Sequence, residues 1–238
     1  MPASDRTAVL GKDPGPWEHP RRWLVLAPHP DDFDVVAVTM KHLAASGGQI
    51  LLDVLSGGAS GVEDAFASGW EAKTAARENE QRDSIACFGL PAGNLRFHRF
   101  AEDEVGYMAD TPENEARAHV LLDSVAPDGV ILPHGNDSNA DHRRTFRWFM
   151  SWRNTRTSPP LALLVRDPKN LGMRVDLITP YTAGQAAWKA ELLRCHRSQH
   201  ERNLRSRGTG FDERILQSDR TAAEPFGFTA AECFEILS

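Results

Sequence analysis

Cysteine is scarce in this 238-residue chain: Cys87, Cys195 and Cys233 lie far apart, and none belongs to a CxxC pair. So sparse and odd a set excludes a disulfide framework and a structural zinc knuckle, and it points to a reducing compartment. Long apolar runs are missing too. Stretches such as 161–165 and 35–38 fall far short of the roughly 20 residues that cross a bilayer. Residues 1–6 are small and polar, with no apolar core behind a basic start, so no secretory signal is expected. Basic excess is also absent. The 27 Lys and Arg stand against 33 Asp and Glu, a net charge of −6, which argues against a nucleic-acid partner. No repeat or low-complexity tract occurs. Ser56 and Ser60 lack the GxSxG context of a serine-hydrolase elbow. The glycines at 57, 58 and 61 are not a GxGxxG fingerprint, and they read instead as a loop lining a substrate mouth.

What is present is an average globular composition, 41% hydrophobic and 25% charged, arranged as alternating strand and helix signals. Residues 1–20 are rich in Pro, Gly and charge and read as an irregular lead-in; residues 21–238 read as one domain. Buried strands are predicted at 23–27 (WLVLA), 49–55, 94–100, 129–132, 161–165 and 173–178. Helices are predicted at 34–46, 70–88, 113–125 and 141–152, with one last long helix at 182–199. The alternation implies an α/β fold, a three-layer, mostly parallel Rossmann-like sheet with helices on both faces. In such sheets ligands bind outside the carboxyl ends of the strands, so the residues just after each strand matter most.

Immediately after WLVLA comes Pro28-His29-Pro30-Asp31-Asp32. An imidazole and a carboxylate three residues apart on a Pro-bounded turn can converge on one cation. Asp31 then sits beside a ligand and is free to act as a base. The same Asp pair could instead cap the next helix. A second polar cluster, from His134 to His142, follows the strand at 129–132. His142 is the natural third ligand there, with Asp141 available to orient an imidazole. Alternatively Asn136, Asp137 and Ser138 satisfy turns and cap the helix that follows. Two such clusters, each at the end of a buried strand, favour the metal reading.

His29-Pro30-Asp31-Asp32 with Asp141-His142 resembles the LmbE-like deacetylases, which include the GlcNAc-phosphatidylinositol de-N-acetylase PIG-L. Arg77, Glu80 and Phe88-Gly89 resemble that family's helix after the second strand. Lys189 with His196, Ser198 and Gln199 resembles its late helix, so the similarity touches residues from about 22 to 199. The resemblance implies a Rossmann-like fold and a metal-dependent N-deacetylase. His29, Asp32 and His142 would hold Zn2+, or another divalent ion such as Fe2+ or Mn2+, and Asp31 would be the general base. Arg77 and His196 would be substrate-contacting residues, His196 at the rim of the site. The implied partner is a small N-acetylated amino sugar or a conjugate carrying one.

Two residues depart from the pattern. Phe33 stands where the family has Glu, and Asn139 where it often has the first His of its second motif. Asn139 is expected to serve as a neutral oxyanion donor in place of that His. A non-catalytic metal- or sugar-binding protein on the same fold is the rival reading. The expected protein is cytoplasmic, with no nucleic-acid or membrane partner; a homo-oligomer is allowed.

Overall fold

In the computed structural model, residues 7–18 and 21–237 are described; the leader-free start expected at residues 1–6 lies outside them. Among the described residues, eight strands form one sheet: β1 (Ala8–Val9), β2 (Arg22–Ala27), β3 (Gln49–Val54), β4 (Leu95–Phe97), β5 (Gly129–Pro133), β6 (Leu161–Val165), β7 (Leu177–Pro180) and β8 (Ala231–Leu237). Their order is β1-β7-β8-β6-β5-β2-β3-β4. All pairings are parallel except those of β8, which runs antiparallel between β6 and β7.

Among the described residues, seven helices cover the sheet: α1 (Ala37–Ala45), α2 (Trp70–Phe88), α3 (Pro112–Val125), α4 (Ala140–Arg153), α5 (Ala183–Cys195), α6 (Arg197–Arg207) and α7 (Phe211–Ala223). Strand alternation builds two separate cores. On β2, Trp23, Val25 and Ala27 point to the face covered by α1, α2, α5 and α7. Leu24 and Leu26 point to the face covered by α3 and α4, where Leu122, Trp148, Phe149 and Trp152 pack. The expected three-layer architecture is therefore present. Gly129 opens β5 because nothing larger fits: a Cβ there would lie 2.4 Å from the Trp23 ring.

The structure departs from the sequence reading in several places, and beyond residue 199 it adds α7 and β8, where no element is expected. The stretch expected as an irregular lead-in joins the sheet edge at Ala8–Val9, paired with β7. The strand expected at 173–178 is displaced to Leu177–Pro180. The helix expected at 34–46 starts as a 3-10 turn over Asp34–Val36 before α1 begins. The single helix expected at 182–199 breaks at His196, whose ring turns inward to bond Asp34 at 2.5 Å. Glu80 of α2 then accepts hydrogen bonds from the Ser198 backbone and hydroxyl, both 2.7 Å, and so starts α6 as a new helix.

One feature fixes how α1 leaves the sheet. Lys189 of α5 is fully buried and donates to the Val35 carbonyl, Asp219 and Glu232 at 2.6, 2.7 and 2.7 Å. Glu232, on β8, accepts the backbone N–H groups of Val38 and Thr39 at 3.0 and 2.8 Å, and so caps α1 from across the fold. This knot ties α5, α7 and β8 to the segment directly behind Asp31 and Asp32.

Candidate metal centre and catalytic residues

The turn after β2 and the loop after β5 meet at the carboxyl ends of adjacent strands. They bring His29, Asp32 and His142 together, one potential ligand atom from each lying within 4.8 Å of the others. Each imidazole is held by a carboxylate on its far side. Asp141 bonds His29 Nε2 at 3.0 Å, and Asp137 bonds His142 Nδ1 at 3.0 Å. That leaves His29 Nδ1 and His142 Nε2 facing Asp32, at 3.4 and 3.5 Å. Such carboxylate–imidazole pairing orients ligating histidines and raises their basicity.

The donor set fits a divalent cation. His142 Nε2 is buried without a hydrogen-bond partner, an orphan aimed into the cluster. Burial and the nearby Lys169 ammonium disfavour the charged ring, yet Asp32 and Asp137 outweigh them and push the His142 pKa up to about 9. Burial likewise opposes protonation of His29, and its bonds to Asp141 and Asp32 overcome that and raise its pKa. Asp32 is held well below the ordinary carboxylate range: burial works against this, but both histidines prevail. A site that draws protons onto two buried imidazoles carries negative potential suited to a cation. Two nitrogens and one carboxylate are a donor set zinc takes. Asp137, His142 and Asp167 also lie within 4.8 Å, but Asp137 is already committed to the Nδ1 side of the ring.

Asp31 does not join the ligands. Its φ of 130° puts a non-glycine residue in a region L-residues avoid, which turns its carboxylate away from Asp32 and toward Arg77, Oδ2 to Nη2 at 3.2 Å. Gln81 of α2 holds this conformation by accepting the Asp31 N–H at 3.0 Å. Gln81 is braced in turn by Asp34, a fully buried carboxylate that also binds Ser84 at 2.5 Å and His196.

The same architecture occurs in known proteins. Residues 24–152, more than half of the chain, match the family model described as PIG-L, GlcNAc-PI de-N-acetylase. The chain belongs to the PIG-L family. No curated protein sequence matches it. Among solved structures it is similar to N,N'-diacetylchitobiose deacetylase from Pyrococcus horikoshii, with a TM-score of 0.76 and 19% identity over 93% of this chain and 85% of that one. It is similar also to the zinc-inhibited form of teicoplanin deacetylase Orf2, with a TM-score of 0.68 and 13% identity over 91% of this chain and 98% of that one. A third similar structure is the 4-carboxy-2-hydroxymuconate hydratase GalB from Pseudomonas putida KT2440, with a TM-score of 0.66 and 18% identity over 91% and 95% of the two chains. At these identities the likenesses show a shared fold.

Within this PIG-L family chain the remaining site residues separate. Arg77 is no solvated helix residue: it is 2% exposed, and its Nε and Nη1 lack hydrogen-bond partners. Asn139 caps α4, its side-chain oxygen accepting the Asp141 N–H at 2.8 Å. The cap uses the oxygen and leaves the amide nitrogen as a donor. His196 is not at the rim; it is fully buried and spent on Asp34, three hydrogen bonds of the network away from Asp31. Phe33, at the position of the missing family Glu, packs edge-on against Phe88 in the core. Sequence reading passed over Asp137 and Gln81. Asp137 reads locally as a turn former, and its position five residues before His142 is the only local sign of its role. Gln81 is one more polar residue on a charged helix, and only tertiary contact reveals it.

Proposed function

We propose that this protein is a zinc-dependent amidohydrolase that removes the acetyl group from an N-acetylated amino sugar or an N-acetylglucosamine conjugate. The observation that carries this reading is the convergence of His29, Asp32 and His142 on one point, with Asp31 adjacent but turned out of the ligand set, in a chain of the PIG-L family. When bound, a divalent ion supplies Lewis-acid polarisation of a carbonyl and lowers the pKa of water. Asp31 takes the proton of the attacking water, and the Arg77 guanidinium beside it keeps the carboxylate oriented. In this reading the Asn139 amide nitrogen, not used by the helix cap, serves as a neutral donor to the oxyanion that forms on the acetamide. As the C–N bond breaks, Asp31 passes that proton to the departing nitrogen, and acetate and the free amine are released.

The rival reading, a metal- or sugar-binding protein without turnover, draws on one observation: a neutral helix-capping Asn occupies the place of the family's second-motif His. Measurement of bound metal by mass spectrometry together with acetate release across a panel of N-acetyl sugars separates the two. Metal with acetate release supports the hydrolase. Metal with no release from any acetamide rejects it in favour of the rival.

A further inference from the structure

The loop after β6 is stapled to the loop after β5, which carries His142. Ser138 donates its N–H to the Lys169 carbonyl at 3.0 Å, and Leu171 donates to the Asn136 carbonyl at 2.9 Å. Asp137 and Asn170 pair in an antiparallel bridge, and the Asn136 side chain donates to the Gly172 carbonyl at 2.9 Å. The turn itself is closed by Asp167, whose Oδ1 accepts the Lys169 N–H at 2.6 Å. An Asp167 carboxylate oxygen also lies within 4.8 Å of ligand atoms of Asp137 and His142. Lys169 is thereby fixed beside Ser138, the residue that precedes Asn139.

Its side chain faces the site. Burial disfavours the ammonium, but Asp167, Asp32 and Asp31 act on it in turn and raise its pKa. Of the charges acting on the His142 ring, that of Lys169 is the strongest, ahead of Asp32, whose Oδ1 is 3.5 Å from Nε2. Charge–charge interaction decays with distance, so the ammonium stands close to the ligand cluster. It is nevertheless uncommitted. Among the described residues no acceptor takes a hydrogen bond from the ammonium and no carboxylate closes an ion pair with it. A structural counter-ion would close on one of these carboxylates, as Lys189 does on Asp219 and Glu232. Lys169 instead keeps three donors free. Its neighbour Asn139 offers the same space only a neutral amide.

We propose that Lys169 is a further catalytic residue, whose ammonium donates a charged hydrogen bond to the oxyanion that forms on the acetamide and so supplies the positive charge that Asn139 lacks. The inference rests on the deacetylase reading above. Lys169 keeps its proton throughout; the proton that moves is the one carried by Asp31. A charge held in place before the reaction costs no reorganisation when the oxyanion appears, and in a partly water-excluded site it acts more strongly than in water. The bond strengthens only as the carbonyl oxygen becomes an anion, so it acts on turnover and not on substrate binding.

The test uses zinc-loaded wild type, Lys169→Gln and Lys169→Arg, each checked for full metal occupancy by mass spectrometry. Two ligands are titrated by calorimetry: N-acetylglucosamine, whose acetamide is neutral, and the methylphosphonamide of glucosamine, a stable tetrahedral anion on the same nitrogen. Acetate release is measured in parallel. Lys169→Gln should bind the anion about 10–100-fold more weakly, the scale of a hydrogen bond to a charged group, and should bind N-acetylglucosamine as wild type does. Its kcat should fall about 10²–10³-fold with KM little changed. Lys169→Arg keeps the charge and should recover part of both losses. An anion affinity in wild type no higher than that for N-acetylglucosamine, or one unchanged in Lys169→Gln, overturns the assignment. So does a parallel loss for both ligands, which marks a structural role. A preference for the anion that depends on Lys169, without acetate release from any N-acetyl sugar, supports the anion contact and rejects the deacetylase reading. Acetate release equal in wild type and Lys169→Gln does the reverse.

Discussion

Replacing Lys189 with Met tests whether the buried knot behind the candidate metal centre is held by charge. The ammonium has three partners and no contact with water. Removing it strands the Val35 carbonyl and two carboxylates, Asp219 and Glu232, which are 5% and 2% exposed. Breaking a buried pair by deleting one partner costs about 3–5 kcal/mol. For a chain of 238 residues, with Tm falling ~2–4 °C per kcal/mol, that is a drop of roughly 6–20 °C. The loss should depend on pH in a definite direction. Burial pushes the Asp219 carboxyl up from 3.8 to about 6, even with the Lys189 cation pulling it down. A carboxyl whose folded pKa exceeds its unfolded value binds more protons when folded, so its contribution to stability grows as pH falls through about 6 toward 4. Without Lys189 the folded pKa of Asp219 rises further, and protonation relieves the stranded charge. The Tm deficit of Lys189→Met relative to wild type should therefore be largest at pH 8 and smaller at pH 5.5. Adding Asp219→Asn should recover part of the deficit at pH 8. Calorimetry at the two pH values decides the matter. A deficit under about 3 °C, or one that widens on acidification, would refute the account.

The other predictions concern the metal centre. His29→Ala and His142→Ala should each lower bound divalent metal severely, and full metal retention in the double variant would rule out this ligand set. Asp31→Asn should keep the metal and lose about 10²–10⁴-fold in turnover; near-normal turnover of a fully metallated variant refutes the base assignment. Gln81→Leu removes the acceptor that holds Asp31 at φ 130°. Because such conformations cost of order 1–3 kcal/mol and persist only when held, the Asp31 amide should exchange with solvent at least tenfold faster, and an unchanged rate refutes the brace.

Fold class was legible because the signal was repeated. Apolar five- and six-residue strands at β2, β3, β5 and β6 recur between helical stretches, and no single one had to be right. The elements that escaped are those whose sequence pattern is set by distant partners. α7 and β8 bury Asp219 and Glu232, and polar residues at core positions blur the apolar periodicity on which sequence reading depends. The break between α5 and α6 likewise has no Gly or Pro to mark it. It exists because His196 and Ser198 find Asp34 and Glu80 across the fold.

At the site, the legible residues are those whose roles arise from neighbours in the chain. His29, Asp31 and Asp32 share one turn, and a strand before them fixes where that turn sits. Asn139 shows how far such reading reaches, because its two polar atoms answer to different scales. The oxygen is accounted for locally, as the cap of α4 on the Asp141 N–H. The amide nitrogen, proposed to donate to the oxyanion, is accountable only through the substrate. The two uses can be separated. Asn139→Asp keeps a capping oxygen and removes the donor, so stability should hold while turnover falls by roughly 10²–10³-fold. Asn139→Ala removes both, with the same loss of turnover and about 1 kcal/mol of stability besides. If Asn139→Asp is as active as wild type, the donor role fails, and the departure from the family motif at this position is explained by the helix cap alone.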